Sequence, residues 1–234
     1  MAPLIETRGL TLHFGGLRAV DGVDFTLNPG EIHALIGPNG AGKTTFVSLL
    51  SGRRLPQSGT IHLGGQDITR LPAHTRVRLG IAYTFQITSI FPRLSVFDNV
   101  ALAVQSHGTR DLAARTRAAL ARVGLETLEG QEAQTLSYGH QRLLELAMGL
   151  ALAPRLLILD EPTQGLAASE IEGFKTLVRS LVPETTVLLI EHNMDLVMDL
   201  ATRITVLNFG QILATGTPAE IRANPLVQEA YLGA

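Results

Sequence analysis

The fold of this chain is decided by one stretch of sequence, Gly37-Pro38-Asn39-Gly40-Ala41-Gly42-Lys43-Thr44. It matches the pattern G-x-x-x-x-G-K-[ST], in which glycines let backbone N–H groups converge on phosphate oxygens. An apolar strand is predicted before it, at 32–36, and a helix after it, at 43–51, which would add a positive N-terminal end. The stretch predicts a phosphate site in which Lys43 reaches the β- and γ-phosphates and Thr44 binds Mg²⁺. Thr45, the next residue, is also expected to contact the nucleotide.

A second motif lies at the end of another predicted strand. Four apolar residues, 156–159, precede Asp160 and Glu161. Ligands bind at the C-terminal ends of strands in α/β sheets, so both carboxylates are expected at the nucleotide. Asp160 suits Mg²⁺, and Glu161 suits a general base that polarises the attacking water. Alone, the pair could equally be an ordinary acidic turn.

A third motif, Leu136-Ser137-Tyr138-Gly139-His140-Gln141, stands before a helix predicted at 141–153. A hydroxyl, a glycine and backbone donors at a helix N-terminus could receive a phosphate, although a plain serine N-cap is the simpler interpretation. The segment resembles the signature sequence of ABC-transporter ATPases, usually Leu-Ser-Gly-Gly-Gln. That resemblance implies a sandwich dimer, in which Ser137 and Gly139 meet the γ-phosphate of the ATP held by the other subunit.

Three single residues extend the resemblance to the ABC family. Gln86 matches the glutamine that senses Mg²⁺ and the attacking water, so it is predicted as both a metal and a catalytic residue. His192 follows a strand predicted at 186–190 and matches the histidine that contacts the γ-phosphate. Phe14 matches the aromatic residue that stacks on adenine. By themselves these would be a surface glutamine, a structural histidine and, as a live alternative, a core aromatic.

A finer resemblance points to the ATP-binding subunits of branched-chain amino-acid importers. It is carried by Phe14-Gly15-Gly16-Leu17, by Thr84-Phe85-Gln86, by Tyr138 in the signature, and by the ending from Gly216 to Gly233. The ATP-binding subunits of urea and amide importers are similar to this group.

Two segments depart from the wider ABC family, the signature and the loop after Glu161. The signature has Tyr138 and His140 where glycine and glutamine are usual, and Tyr138 fits the branched-chain group. Ala167 stands where the family usually has an aspartate that bonds across the dimer. A methyl group cannot make that bond, which bears on how tightly hydrolysis at the two sites is coupled and favours a non-identical sibling over a second copy as the natural partner.

Strands that alternate with helices predict an α/β fold. The resemblance implies a P-loop NTPase of the ABC ATPase type: one domain over 1–234, with an antiparallel N-terminal β portion and a helical subdomain at about 88–153. Short strands are predicted over residues 4–36 and a hairpin over 203–215. A helix is predicted over 111–123, and a final one after Thr217, where a capping box precedes Pro218.

Composition narrows the possible partners. A net charge of −2 gives no basic footprint, so nucleic acid is not expected as a partner. The chain has no cysteine, which excludes disulfides and thiolate metal sites. The most apolar stretch, 143–159, is interrupted by charged residues and a proline, so no membrane span is expected.

The resemblance implies an ATPase with ATP and Mg²⁺ as cofactors, which powers import of branched-chain or other hydrophobic amino acids. Its expected partners are membrane permease subunits, a second ATPase subunit (a copy or a sibling) and, indirectly, a periplasmic or extracellular solute-binding protein. It is expected at the cytoplasmic face of the membrane. Residues 86–97, with Phe91, Pro92 and Phe97, are the candidate docking groove, or simply subdomain packing. An ATPase of lipid or lipopolysaccharide export and a soluble ABC ATPase stay open as alternatives.

Overall fold

Two β-sheets organise the chain in the computed structural model, which describes residues 2–84, 89–106, 108 and 110–232. In chain order the strands in these residues are β1 (Ile5–Phe14), β2 (Leu17–Leu27), β3 (Ile32–Ile36), β4 (Ser58–Leu63), β5 (Gln66–Asp67), β6 (Ile81–Thr84), β7 (Leu156–Asp160), β8 (Thr186–Ile190), β9 (Arg203–Asn208) and β10 (Gln211–Gly216). The first sheet has the order β2-β1-β4-β5 and is antiparallel throughout.

The prediction of short strands over residues 4–36 is wrong for the first part of this range. β1 has 10 residues and β2 has 11. Their pairing shifts register three times, between Thr7 and Leu10, between Leu10 and Leu12, and between Leu12 and His13. Each irregularity interrupts the alternation of buried and exposed side chains, so one long strand looks like several short ones in the sequence.

The second sheet has the order β10-β9-β3-β8-β7-β6. Its strands are parallel except for β10, which returns antiparallel beside β9 in the predicted hairpin. The strands β3, β7 and β8 are buried along their whole length, as expected for a parallel sheet covered on both faces. Their C-terminal ends meet at one edge, which is where the predicted phosphate and carboxylate motifs come together.

Helices cover both faces of the second sheet. They are α1 (Lys43–Leu50), α2 (Ala73–Arg78), α3 (Val96–Gln105), α4 (Leu112–Arg122), α5 (Tyr138–Ala151), α6 (Ala168–Leu181), α7 (Met194–Leu200), α8 (Pro218–Ala223) and α9 (Pro225–Leu232). One apolar cluster packs α1 between the two sheets, and another joins α3, α4 and α5 to the opposite face of the second sheet. The α/β architecture with its antiparallel N-terminal portion is confirmed. The limits of the helical subdomain, 88–153, stay a prediction.

The predicted helix limits differ from the structure by up to three residues, and two of the differences from the predicted helices have a clear local cause. α5 begins at Tyr138, three residues before the predicted start, because the Ser137 hydroxyl caps it by accepting the His140 N–H at 3.2 Å. The capping box at Thr217 and Glu220 is present, but α8 is not the final helix. The chain continues into α9, which begins at a second proline, Pro225.

Within the part of the chain that the structure describes, no helix combines the length and the apolar character needed to cross a bilayer.

Candidate nucleotide site

The predicted phosphate loop is tightly enclosed by backbone from distant parts of the chain. Gly37 has a φ of 152°, and a Cβ there would lie 2.1 Å from the carbonyl oxygen of Leu207. Gly42 has a φ of 104°, and a Cβ there would lie 2.0 Å from the carbonyl oxygen of Ala19. Only glycine fits at either position, so these two residues are required by the fold around the loop as well as by a phosphate.

Lys43 lies inside the loop that it is predicted to serve. Its Nζ donates to the carbonyl oxygens of Gly37 at 2.6 Å and Pro38 at 3.1 Å. Burial lowers the pKa of Lys43, and the nearby carboxylates Glu161 and Asp160 act in the opposite direction. The charge of the lysine therefore interacts favourably with both predicted carboxylates.

Glu161 and His192 are in direct contact. Their Oε1 and Nε2 atoms are 2.6 Å apart, although the residues stand 31 positions apart in the chain. The contact forms because β7 and β8 are parallel neighbours, and the Glu161 N–H donates to the carbonyl of Ile190 at 2.8 Å. The predicted base and the predicted γ-phosphate contact thus lie together at one sheet edge.

The backbone of Glu161 is strained, with a φ of 50°. This left-handed conformation costs a non-glycine residue about 1–2 kcal/mol and often occurs at functional sites. It lies where the chain turns sharply after the buried strand β7, while the side chain stays mostly covered.

A neighbouring carboxylate, Glu191, was not among the predicted site residues. It is buried, and its Oε1 accepts from both the N–H and the hydroxyl of Thr163, the latter at 2.5 Å. Its Oε2 accepts the N–H of His192 at 3.0 Å. Glu191 therefore links the loop after Glu161 to the histidine. Its position directly after an apolar strand, beside that histidine, was the available signal.

Tyr83, which was also not among the predicted site residues, contacts Asp160. The Tyr83 hydroxyl donates to Asp160 Oδ2 at 2.5 Å. Burial raises the pKa of Tyr83, and the hydrogen bond to Asp160 adds to that effect. Burial also raises the pKa of Asp160, and the Tyr83 hydrogen bond partly opposes it. Nothing in the sequence near Tyr83 indicates this contact, which depends on β6 lying beside β7.

Phe14 lies in an open groove with Thr44 and Thr45. Phe14 is 41% exposed, which argues against the core interpretation. The Arg54 guanidinium lies 5.0 Å from the ring centroid. Gln86, predicted as a metal and catalytic residue, lies outside the described residues.

The signature segment contacts the loop that follows Glu161. A Cβ on Gly139 would lie 2.1 Å from Glu170 Oε1, and a Cβ on Gly165 would lie 2.9 Å from the ring of Tyr138. Glu170 also accepts the N–H of Ala167 at 2.7 Å, at the start of α6. Ala167 has no side-chain oxygen, so it cannot cap this helix in return. Ser137 is exposed, as a residue that meets a second subunit would be.

A buried ion pair lies on α5, the helix that begins in the signature. Arg142 Nη1 donates to Glu145 Oε2 at 3.2 Å, and Arg142 Nε donates to the Tyr138 hydroxyl at 3.1 Å. Glu145 Oε1 in turn accepts the N–H of Ser89 at 3.4 Å. The pair therefore connects the signature to the start of the candidate docking segment.

In that docking segment, Phe91 is half exposed and Pro92 is exposed, as expected. Phe97 is not: it packs against the apolar cluster of the helices, because it lies in the first turn of α3. The buried Asn99 side chain accepts the N–H of Phe91 at 2.7 Å and donates to its carbonyl at 3.1 Å. This amide fixes the loop that presents Phe91.

Comparisons with known proteins identify the family of the chain. Residues 20–164 match the ABC transporter family, and residues 211–234 match the family "Branched-chain amino acid ATP-binding cassette transporter". The chain is 42% identical to the high-affinity branched-chain amino acid transport ATP-binding protein BraF of Pseudomonas aeruginosa, covering 99% of this chain and 98% of that protein. LivG of Escherichia coli, of the same description, is also 42% identical, with the same coverage.

Solved structures agree at the level of the ABC-transporter ATP-binding cassette. The ADP conformation of MJ1267, an ATP-binding cassette of an ABC transporter, superposes with a TM-score of 0.90 and 26% identity, covering 100% of both chains. CbiO1 from Clostridium perfringens, part of the ABC transporter complex CbiONQ, gives 0.87 and 27%, covering 100% of this chain and 97% of that one.

Both levels of the resemblance in the sequence are thereby confirmed. The chain belongs to the ABC transporter family, as an ATP-binding ATPase subunit of the branched-chain amino acid transport group.

Proposed function

We propose that this ATPase powers import of a branched-chain or other hydrophobic amino acid through a separate membrane permease, from the cytoplasmic face of the membrane. The observation that carries the proposal is the 42% identity over 99% of the chain to proteins of branched-chain amino acid transport. The match of residues 211–234 to a family of the same description supports it independently, because this segment lies outside the residues matched by the general family.

The residues at the sheet edge fit a triphosphate with Mg²⁺. The Thr44 hydroxyl and the Asp160 carboxylate are oxygen ligands of the kind that Mg²⁺ prefers. When bound, the ion would neutralise charge on the phosphate oxygens. Lys43 exchanges its two carbonyl partners for phosphate oxygens, and the loop N–H groups supply further donors.

Glu161 acts as the general base in this proposal. It accepts the proton of the attacking water, while the neighbouring His192 contacts the γ-phosphate and holds Glu161 in place. The short Glu161–His192 contact supports these roles, because it positions a proton acceptor and a phosphate ligand side by side. Gln86 is proposed to sense the same water and the metal, and Phe14 to stack on adenine.

We further propose that each nucleotide is completed by Ser137 and Gly139 of a second subunit. A mixing experiment tests this. Lys43→Ala and Ser137→Arg each disable every site of their own homodimer, but a mixed dimer contains one site with both halves intact. ATPase activity that returns on mixing the two inactive proteins is expected. Absence of recovery, both between copies and with a sibling subunit, would contradict a shared site.

The loop held by Asn99 is proposed to dock the permease. Phe91 offers an exposed aromatic anchor on a backbone that Asn99 fixes, and such anchors dominate interfaces between proteins. Phe91→Ala should preserve the ATPase activity of the isolated chain and abolish its stimulation by the permease. Leu226→Ala, an equally exposed apolar residue on α9, is the matched control and should leave that stimulation intact.

The solute is tested in the assembled transporter. Purified with its native permease in vesicles, the complex is exposed to binding proteins loaded with leucine, with a polar amino acid or with urea. We expect ATP hydrolysis to be stimulated by the leucine-loaded protein. Stimulation by urea alone, or by lipid in place of a binding protein, would refute amino-acid import while leaving the ATPase assignment untouched.

A further inference from the structure

Strand β6 carries a tyrosine, Tyr83, beside Asp160, the proposed magnesium ligand. Parallel pairing sets Tyr83 of β6 opposite Ile158 of β7, and paired residues of parallel strands share one face of the sheet. Asp160 follows two residues later, so it lies on the same face. This is the face packed on α1, because Tyr83 and Ile158 belong to the apolar cluster that contains Phe46.

The shared face brings the tyrosine hydroxyl onto the carboxylate. Tyr83 Oη donates to Asp160 Oδ2 at 2.5 Å, and both side chains are at least partly buried. A phenol has one proton to donate, and an ionised carboxylate only accepts, so the direction of the bond is fixed. Among the described residues, Tyr83 is the one hydrogen-bond donor that the structure gives to the Asp160 side chain.

The ring of Tyr83 is itself held in place. The Arg53 guanidinium lies 4.1 Å from the ring centroid, and Arg53 Nε donates to the Ser51 hydroxyl at 3.2 Å, just after α1 ends. A guanidinium placed over an aromatic face is attracted to it, so this contact favours one position of the ring. The tyrosine is thus fixed between the helix that follows the phosphate loop and the carboxylate of β7.

We propose that Tyr83 is a positioning residue for the magnesium site. By holding one oxygen of Asp160, it sets the carboxylate plane and leaves the second oxygen, Oδ1, to serve the ion or its bound water. The inference rests on the proposed role of Asp160 and extends it to a residue outside the recognised motifs. Partners that orient a metal ligand in this way commonly change metal affinity about 10- to 100-fold when removed.

The test compares nucleotide binding with and without the ion. The protein is the full chain with Glu161→Gln, which stops turnover, and the probe is a fluorescent ATP analogue titrated in EDTA and in excess Mg²⁺. The quantity of interest is the ratio of the two Kd values, the Kd in EDTA divided by the Kd in Mg²⁺, which measures how much the ion strengthens binding. We expect Tyr83→Phe to reduce that ratio about tenfold or more and to leave the Kd in EDTA unchanged.

Thr84→Val is the matched control. It also deletes one hydroxyl, from the next residue of the same strand, and that hydroxyl lies 3.4 Å from the Ile158 carbonyl rather than on Asp160. Its ratio should equal that of the parent. A double-mutant cycle adds a second test: on an Asp160→Asn background, Tyr83→Phe should have little further effect on the ratio.

The outcomes are distinct. An unchanged ratio in Tyr83→Phe overturns the inference, and so does an equal weakening of both Kd values, which would indicate a merely structural tyrosine. If the parent protein binds nucleotide no better with Mg²⁺ than in EDTA, the proposed metal site fails and the inference fails with it. If the parent binds better with Mg²⁺ and only Tyr83→Phe loses the difference, both stand.

Discussion

At the scale of single residues, the chemistry is concentrated where β7 and β8 end. Glu161 combines a left-handed backbone, mostly covered oxygens and a 2.6 Å contact with His192. Each feature restricts where its carboxylate can lie. A residue that is held so firmly despite its conformational cost is suited to orient one water molecule rather than to bind a range of ligands.

Replacing that carboxylate should separate binding from hydrolysis. Glu161→Gln keeps the size of the side chain and its contact with His192 but cannot accept a proton. We expect the rate of ATP hydrolysis to decrease about 10²- to 10⁴-fold with nucleotide affinity retained, measured by phosphate release and equilibrium binding. Glu184→Gln, on an exposed glutamate, is the control. Unchanged turnover in Glu161→Gln would refute the base assignment.

The two lysines of the chain offer a matched pair. Lys43 lies in the phosphate loop, whereas Lys175 forms ion pairs with Glu172 and Asp199 on the surface of α6. A hydrogen bond to a charged group contributes about 1.5–3 kcal/mol, so Lys43→Ala should weaken ATP binding about 10-fold or more. Lys175→Ala should bind ATP as the parent does in a calorimetric titration. Equal behaviour of the two variants would place the phosphates elsewhere.

At the scale of elements, the phosphate loop depends on space as much as on chemistry. Gly42 and Gly40 both have positive φ angles, 104° and 79°. A methyl group at Gly42 would clash, because it would lie 2.0 Å from the Ala19 carbonyl oxygen. A methyl group at Gly40 would have no atom within 4 Å. The two positions therefore separate the cost of strain from the cost of a clash.

Chemical denaturation should distinguish them. Gly40→Ala introduces mainly the left-handed strain, about 1–2 kcal/mol of unfolding free energy. Gly42→Ala must also displace backbone, and we expect it to lose roughly 3 kcal/mol or more. Equal losses in the two variants, measured from urea midpoints, would show that the enclosure of the loop yields more easily than the structure indicates.

The buried pair behind the signature gives a prediction for α5. Arg142→Leu leaves Glu145 as a buried charge without its cation, which costs about 3–5 kcal/mol in comparable pairs. The double variant Arg142→Leu with Glu145→Leu removes both charges and should be more stable than Arg142→Leu alone. Thermal melts of the single and double variants check this order. A double variant less stable than the single one would contradict it.

Local motifs made much of the site predictable from sequence. Gly37, Lys43, Asp160 and Glu161 stand in short, ordered patterns, and their chemistry follows from the pattern and its flanking elements. Contacts that depend on strand order could not be foreseen. Tyr83 reaches Asp160 because β6 lies beside β7, and strand order is not encoded in any local window. Glu191 differs, because its position directly after β8 and beside His192 is a local signal, and only its contacts with Thr163 depend on strand order.

At the scale of the whole molecule, the proposal is that the site is one half of a larger site shared by two subunits. Lys43, Asp160, Glu161 and His192 line one sheet edge, while Ser137 is exposed at the start of α5. If a second subunit completes the site, the nucleotide lies at the interface and its binding adds to the association free energy.

Dimerisation of the chain should therefore depend on bound ATP. With hydrolysis blocked by Glu161→Gln, MgATP should shift the chain from monomer to dimer in light scattering coupled to size exclusion, and ADP should not. Ser137→Arg on that background is the control and should stay monomeric. Should only a mixture with a sibling ATPase dimerise, the absence of a side-chain acceptor at Ala167 offers the explanation. A chain that stays monomeric with copies and siblings alike would contradict the shared site.

The enclosure of the phosphate loop also has a consequence for biosynthesis. Its walls come from Ala19 on one side and from Leu207 and Gly210 on the other, and the Gly210 N–H donates to the Ala41 carbonyl at 2.9 Å. A polypeptide still emerging from the ribosome lacks the second wall until β9 and the turn that follows it have left the exit tunnel. We expect nascent chains to become competent for ATP only after β9 and the turn that follows it have emerged, because these segments complete the loop that holds the phosphates.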